Sequence, residues 1–229
     1  MKRSMRNEEL RYYAAALLIA GLSNRAIFLL GHLLSRGARH WDLALPGEPF
    51  LPFVPATVWI YFGIIPWCAI IYYLIVRRGR AEADRFFAAL LLTKAVCLAF
   101  FIFFPTSIER AELSGNSPSI LLLRVLYFFD TPDNLFPSGH CLLAWLCWIG
   151  VRGKKEHPFP LRAAAFVMAA AVCIATLTVR QHVLLDVFAG ILLAELGWLL
   201  AGSAALRGLY ASLSAALERL LFRSGAEEA

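Results

Sequence analysis

Long stretches of the chain are apolar at nearly every position, without the two-residue alternation of a half-buried strand or the polar face of a surface helix. Six of them, at about 12–34, 57–76, 85–104, 139–151, 161–179 and 183–201, reach or approach the roughly 20 residues that a helix needs to cross a bilayer. The fourth is short, so its helix is expected to begin a few residues earlier, near Leu135. The first follows Lys2, Arg3 and Arg6 as a signal peptide would, but it shows no clean small-x-small cleavage site and stays apolar past Arg25 to Leu34. It reads as a span. The expectation is an all-α integral membrane protein, one domain over 1–229, with six transmembrane helices in a bundle. Residues 120–129 are apolar but too short to cross and are expected along the interface. Beyond the sixth span, Leu206, Leu209, Tyr210, Leu213, Leu217, Leu220 and Leu221 alternate with polar positions. Residues 203–229 thus read as a cytoplasmic tail whose helix lies on the membrane surface or extends the sixth span.

Composition agrees: 60% of the residues are hydrophobic and 17% charged, against about 25% charged in soluble domains. The net charge of +6 raises nucleic acid as a partner, but its distribution answers otherwise. Fifteen Lys and Arg flank the first, third and fifth spans at their leading ends or follow the sixth, and five lie in the opposite connections. The positive-inside rule then puts both termini in the cytoplasm, and the basic excess is accounted for by topology and anionic headgroups. Cys68, Cys97, Cys141, Cys147 and Cys173 have no CxxC spacing and read as small core residues. Arg25, Lys94 and Glu195 fall inside spans, where charge is costly and normally paired, so Glu195 is expected to meet Lys94 or Arg25. Pro46, Pro49, Pro52 and Pro55 predict an extended first outer connection.

The unusual polar chemistry gathers in the outer connections. The second contains Arg110 and ends in Asp130-Thr-Pro-Asp-Asn-Leu-Phe-Pro-Ser-Gly-His140; the third is the tight Thr178-Val-Arg-Gln-His-Val-Leu-Leu-Asp186. His182 and Asp186 are four apart and are expected to touch on one helix face. A histidine held by a carboxylate is an oriented base or nucleophile, and a second can act as general acid near neutral pH. Arginines suit a tetrahedral oxyanion, and a Ser-Gly helix start offers a hydroxyl and free N–H groups. Each motif alone has a plain structural reading: Pro137-Ser-Gly-His140 as a helix start, His182 and Asp186 as a brace, arginines as headgroup contacts. Their joint occurrence on one side of the membrane points to phosphoryl transfer through a phosphohistidine.

Around Pro137-Ser-Gly-His140 and His182-x-x-x-Asp186 the chain resembles the second and third signatures of the type 2 phosphatidic acid phosphatase superfamily. The runs 178–190 and 130–140 are most similar to the branch that includes inositol phosphoceramide synthases. The resemblance implies six helices, no metal or other cofactor, and a phosphohistidine on His182 oriented by Asp186. It also implies that His140 protonates the leaving oxygen while Ser138, Gly139, Arg110 and Arg180 hold the phosphate. Where the family's first signature has Lys, six residues and Arg-Pro, this chain has Arg110 followed by Ala111, with no Lys seven residues before it. Thr176 stands where the third signature has Ser-Arg, and Arg180 is the nearest basic substitute. The expected function is a metal-independent lipid-phosphate phosphatase of a bacterial cytoplasmic membrane, its site facing outward and its partners the bilayer and a lipid phosphate. A phospholipid or sphingolipid headgroup phosphotransferase is the close alternative, and a non-catalytic transporter or scaffold the distant one.

Overall fold

The computed structural model describes residues 2–48, 51–153 and 156–222. Pro49 and Phe50 of the first outer connection, Lys154 and Lys155 of the basic set, the side chains of Lys2, Arg3 and Arg6, and the tail from Arg223 onward lie outside the described residues. The described chain forms helices α1 (Lys2–Leu34), α2 (Val58–Val76), α3 (Arg80–Phe103), α4 (Pro118–Phe129), α5 (Gly139–Val151), α6 (Phe159–Thr178), α7 (Leu184–Leu200) and α8 (Ala204–Phe222). Each of the six expected apolar helices is present, and α4 is the short segment expected at the interface. Among the described residues four helices, α1, α2, α3 and α6, are long and apolar enough to cross a membrane; α7 and α8, bent by 93° at their junction, would add a fifth only if the pair were one span.

The helix ends follow local chemistry. Helix α5 does not reach back to Leu135: Ser138 takes the cap position, and its hydroxyl accepts from the Cys141 N–H at 3.3 Å. Asn134, with φ +59, has already left helical geometry. Gly79, at φ +116, turns α2 sharply into α3, a conformation that a side chain resists. Helix α8 is no straight extension of α7. It folds back against α1 and α3, where Tyr210 is buried between Tyr12 and Phe87.

One apolar core runs through the bundle, from Tyr12 of α1 and Ile64 of α2 through Phe86 of α3, Leu146 of α5, Ala165 of α6 and Ala194 of α7 to Tyr210 of α8. All five cysteines are buried and free. The connections sort to opposite ends. At one end Arg77 meets Glu9, Arg78 meets Glu156 and the carbonyl of Gly150, and Arg80 meets Glu218. At the other, single bridges tie Trp41 to Thr106 and Ser107 to Asp133.

The expected pairing of Glu195 is overturned. Its carboxylate takes a forked pair from Arg152, at 2.6 Å to Oε1, and a hydrogen bond from the Trp145 indole at 2.9 Å. Counted from the Ser138–Asp186 contact that joins the starts of the two helices, Glu195 lies ~14 Å down α7, between Trp145 at ~11 Å and Arg152 at ~21 Å on α5, so the short α5 brings its end residue within reach of a long side chain. Lys94 instead donates to Asn24 of α1. Glu195→Leu should lower stability by about 1–3 kcal/mol, since it strands the Arg152 and Trp145 donors. An unchanged melting temperature in detergent would show that the pair contributes nothing.

Candidate active site

The start of α5 and the turn before α7 are built as one unit. The Ser138 N–H donates to the Asp186 carbonyl at 3.0 Å, joining the helix start that carries His140 to the one that carries Asp186. Gly190, one turn along α7, lies so close to α5 that a Cβ there would sit 2.6 Å from the Ser138 carbonyl. His182 is not on α7, as the four-residue spacing predicts, but two residues before it, with Val183 as the cap residue. The contact survives by another route. Asp186 Oδ2 accepts from His182 Nδ1 at 3.2 Å and from the Val183 N–H at 3.0 Å, while the His182 and Gln181 N–H groups donate to the Thr176 carbonyl.

With Asp186 as acceptor, His182 carries its proton on Nδ1 and keeps the Nε2 lone pair for chemistry. Burial alone pushes the imidazole pKa down. The hydrogen bond and charge of Asp186, with Cys141 and Asp130 behind them, outweigh it and hold His182 above its ordinary value.

The His140 ring faces His182 with 6.3 Å between centroids. It also lies against Tyr61 of α2, with centroids 4.2 Å apart, and its Nδ1 is 3.1 Å from the Tyr61 hydroxyl. That hydroxyl donates to Asp130 Oδ2 at 3.0 Å, so it accepts from His140 Nδ1–H. Nε2 of His140 is left as the atom that exchanges a proton. Burial raises the Asp130 carboxyl above its usual range, against the pull of His182, Tyr61 and Arg110. Tyr61→Phe should reduce kcat about tenfold, the worth of one hydrogen bond at the transition state, with the fold kept by the buried ring. Phosphate release read beside a melting curve checks this; full activity would remove Tyr61 from the site.

Arg110 donates to the carbonyls of Tyr127, at 2.8 Å, and Asp130, and to Gln181 Oε1 at 2.9 Å, with its guanidinium over the Tyr127 ring. Burial lowers its pKa, yet an arginine stays charged. Arg110 Nε and Gln181 Nε2 are buried donors without an acceptor among the described residues. Arg180 adopts a left-handed backbone, φ +54, and donates to the carbonyls of Glu48, at 3.1 Å, and Leu51, at 2.7 Å. Glu48 in turn accepts from the Leu184 N–H at 2.9 Å, which clamps the first connection over the α6–α7 turn.

Two cavities meet the histidines. One, of about 340 Å³, is lined by Arg110, Arg180, His182 and Glu48. The other, of about 330 Å³, runs between α1, α2 and α4 and is lined by His140, Tyr61, Asp130 and Arg25. The structure thus brings His140, His182, Asp186, Ser138 and Gly139 together at the joined helix starts. Arg110 and Arg180 border the His182 cavity with their guanidinium groups largely engaged by carbonyls. Tyr61, Asp130 and Gln181 were missed by the sequence reading. Tyr61 hides in an apolar run with no signal, whereas Asp130 and Gln181 stand within the loop segments that carry the histidines.

Fold and site together define a helical membrane protein with a two-histidine centre at one end of the bundle. The sequence model of the PAP2 superfamily matches residues 113–206, a segment that contains both histidines and Asp186. Members of that superfamily are phosphatases or phosphotransferases acting on phosphate esters. No curated protein and no solved structure matches the chain.

Proposed function

We propose that this chain is a metal-independent lipid-phosphate phosphatase working through a phosphohistidine on His182, with its site on the side of the membrane away from the cytoplasm. The observation behind the reading is the His182–Asp186 pair, set opposite His140 with 6.3 Å between the imidazole centroids, beside unpartnered donors on Arg110 and Gln181. Nε2 of His182 attacks phosphorus, and the P–O bond to the lipid breaks on the opposite side. In this reading the leaving oxygen faces His140 and the lipid departs into the cavity between α1, α2 and α4. That cavity is walled by Leu29, Ile65, Val125 and Phe129, apolar side chains exposed on the bundle surface, as a lipid leaving group requires. Water then attacks the phosphohistidine and releases phosphate. Six helices cross in this reading; the 13 residues of α5 span only ~20 Å, and residues 130–138 complete the thickness at the site end.

The test is phosphate release from a panel of lipid phosphates by the purified chain in detergent, with chelator present. Release unaffected by chelator supports the reading; dependence on added metal overturns it. If labelled phosphoryl or headgroup passes to an added lipid alcohol with no free phosphate, the chain is a transferase.

A further inference from the structure

Arg25 lies inside the apolar run of α1, ~14 Å below the outer end at Leu34, where an unpaired charge is costly. It has no acceptor and no carboxylate partner among the described residues, whereas Arg110 and Arg180 already donate to carbonyls. Its side chain is exposed on the bundle surface, at the edge of a cavity. With Leu29 and His32 on the same face of α1, it lines the cavity that ends at His140. Phe28, one turn further out than Asn24, packs beneath Gly139, where a Cβ would lie 3.5 Å from its ring. Arg25 therefore stands about one turn deeper than the start of α5, close enough for a long side chain to reach up toward the leaving group. Asp130, the carboxylate in that cavity, is occupied by Tyr61, and the rim is closed by His32 on Asp133 at 2.5 Å.

From this we infer that Arg25 reads an anionic leaving group, and that the preferred substrate is a lipid diphosphate. The inference rests on the phosphatase reading above. The chemistry separates the substrate classes. A lipid monophosphate, or a phosphodiester donating its headgroup, expels a neutral alcohol into the α1–α2–α4 cavity, and a guanidinium there meets no charge. A diphosphate attacked by His182 at its terminal phosphorus breaks the bond to the bridging oxygen. The electron pair stays on that oxygen, and the departing group is a lipid monophosphate, protonated by His140 or left ionised beside Arg25. Hydrolysis of the phosphohistidine by water returns His182 and gives one phosphate, so the sum is lipid diphosphate plus water to lipid monophosphate plus phosphate. A forked, charge-assisted contact to the departing phosphate strengthens as its charge develops.

The experiment compares farnesyl diphosphate with farnesyl monophosphate, the same chain with one phosphate more, on wild type, Arg25→Gln and Arg25→Lys in detergent. Wild type is expected to favour the diphosphate at least about tenfold in kcat/KM, the worth of one charge-assisted contact, and Arg25→Gln to bring the ratio near unity. Arg25→Lys should keep most of the preference and shows whether loss in the Gln variant is one of charge or of folding. A wild type that cleaves the monophosphate as well or better overturns the inference and leaves the phosphatase standing. So does a Gln variant that loses both substrates in equal measure, as expected if Arg25 only reaches for bilayer headgroups. If wild type cleaves neither, the phosphatase reading falls first and the inference with it.

Discussion

His182→Asn should lower phosphate release at least about a thousandfold, because it removes the atom that forms the bond to phosphorus. His140→Ala should cost about a hundredfold on an alkyl ester, whose leaving oxygen needs a proton. The two losses separate with an aryl phosphate, whose leaving group departs without protonation: His140→Ala then recovers and His182→Asn does not. Acid-labile label retained on the protein after a brief turnover should vanish in the His182 variant alone. The pH profile adds an independent mark. His182 must be neutral to attack, and Asp186 and its neighbours hold its pKa above the ordinary imidazole value, so the acid limb of kcat/KM should lie above about 6.5. Asp186→Asn removes the main upward influence and leaves burial, which acts downward. Its acid limb should move to lower pH while kcat falls about a hundredfold through lost orientation. An acid limb that stays in place would mean that His182 is not the titrating nucleophile, or that Asp186 does not set its state.

The apolar runs were enough to find six helices because each is apolar at nearly every position, and four of them, α1, α2, α3 and α6, are longer than a soluble core demands. They did not reveal where α5 starts. Its length by itself argued for extension to Leu135, but Ser138 caps the helix and Asn134 turns away, and local backbone chemistry prevailed. The same shortness decided the partner of Glu195, because levels within a bundle depend on where each helix begins. In the site, His140, His182 and Asp186 were legible because polar groups of these types are conspicuous among apolar neighbours. The contact of His182 with Asp186 was legible in outcome but not in route, since a capped loop replaces the helix face. Arg180 marks a limit of another kind. Sequence adjacency placed it two residues from His182, but a left-handed backbone directs its guanidinium to Glu48 and Leu51, and spacing carries no information about that direction. Tyr61 comes from a distant helix, where only tertiary packing singles out one aromatic of many.

Gly190→Ala should reduce turnover well beyond its effect on folding. The added Cβ would stand 2.6 Å from the Ser138 carbonyl and 3.2 Å from the Leu142 nitrogen, both backbone atoms of the first turn of α5, so no rotamer relieves it. Either α7 slides away from α5 or the capped turn opens, and both movements strain the Ser138 N–H to Asp186 carbonyl bond that sets His182 against His140. A stability cost of about 1–3 kcal/mol is expected from such overpacking, visible as a lower melting temperature in detergent. Displacing the histidines by as little as ~1 Å adds a loss of up to about a hundredfold in kcat, because phosphoryl transfer depends on in-line placement. Gly150→Ala is the control at the far end of α5. There the Cβ would meet the tip of Ile75 at 2.7 Å and the ring of Phe86, side-chain atoms far from either histidine. It should lower the melting temperature to a similar degree and leave turnover per folded molecule intact. Equal turnover losses in the two variants would mean that the start of α7 does not position His182 through Ser138. A loss confined to Gly190→Ala would tie the nucleophile's placement to the close approach of α7 on α5.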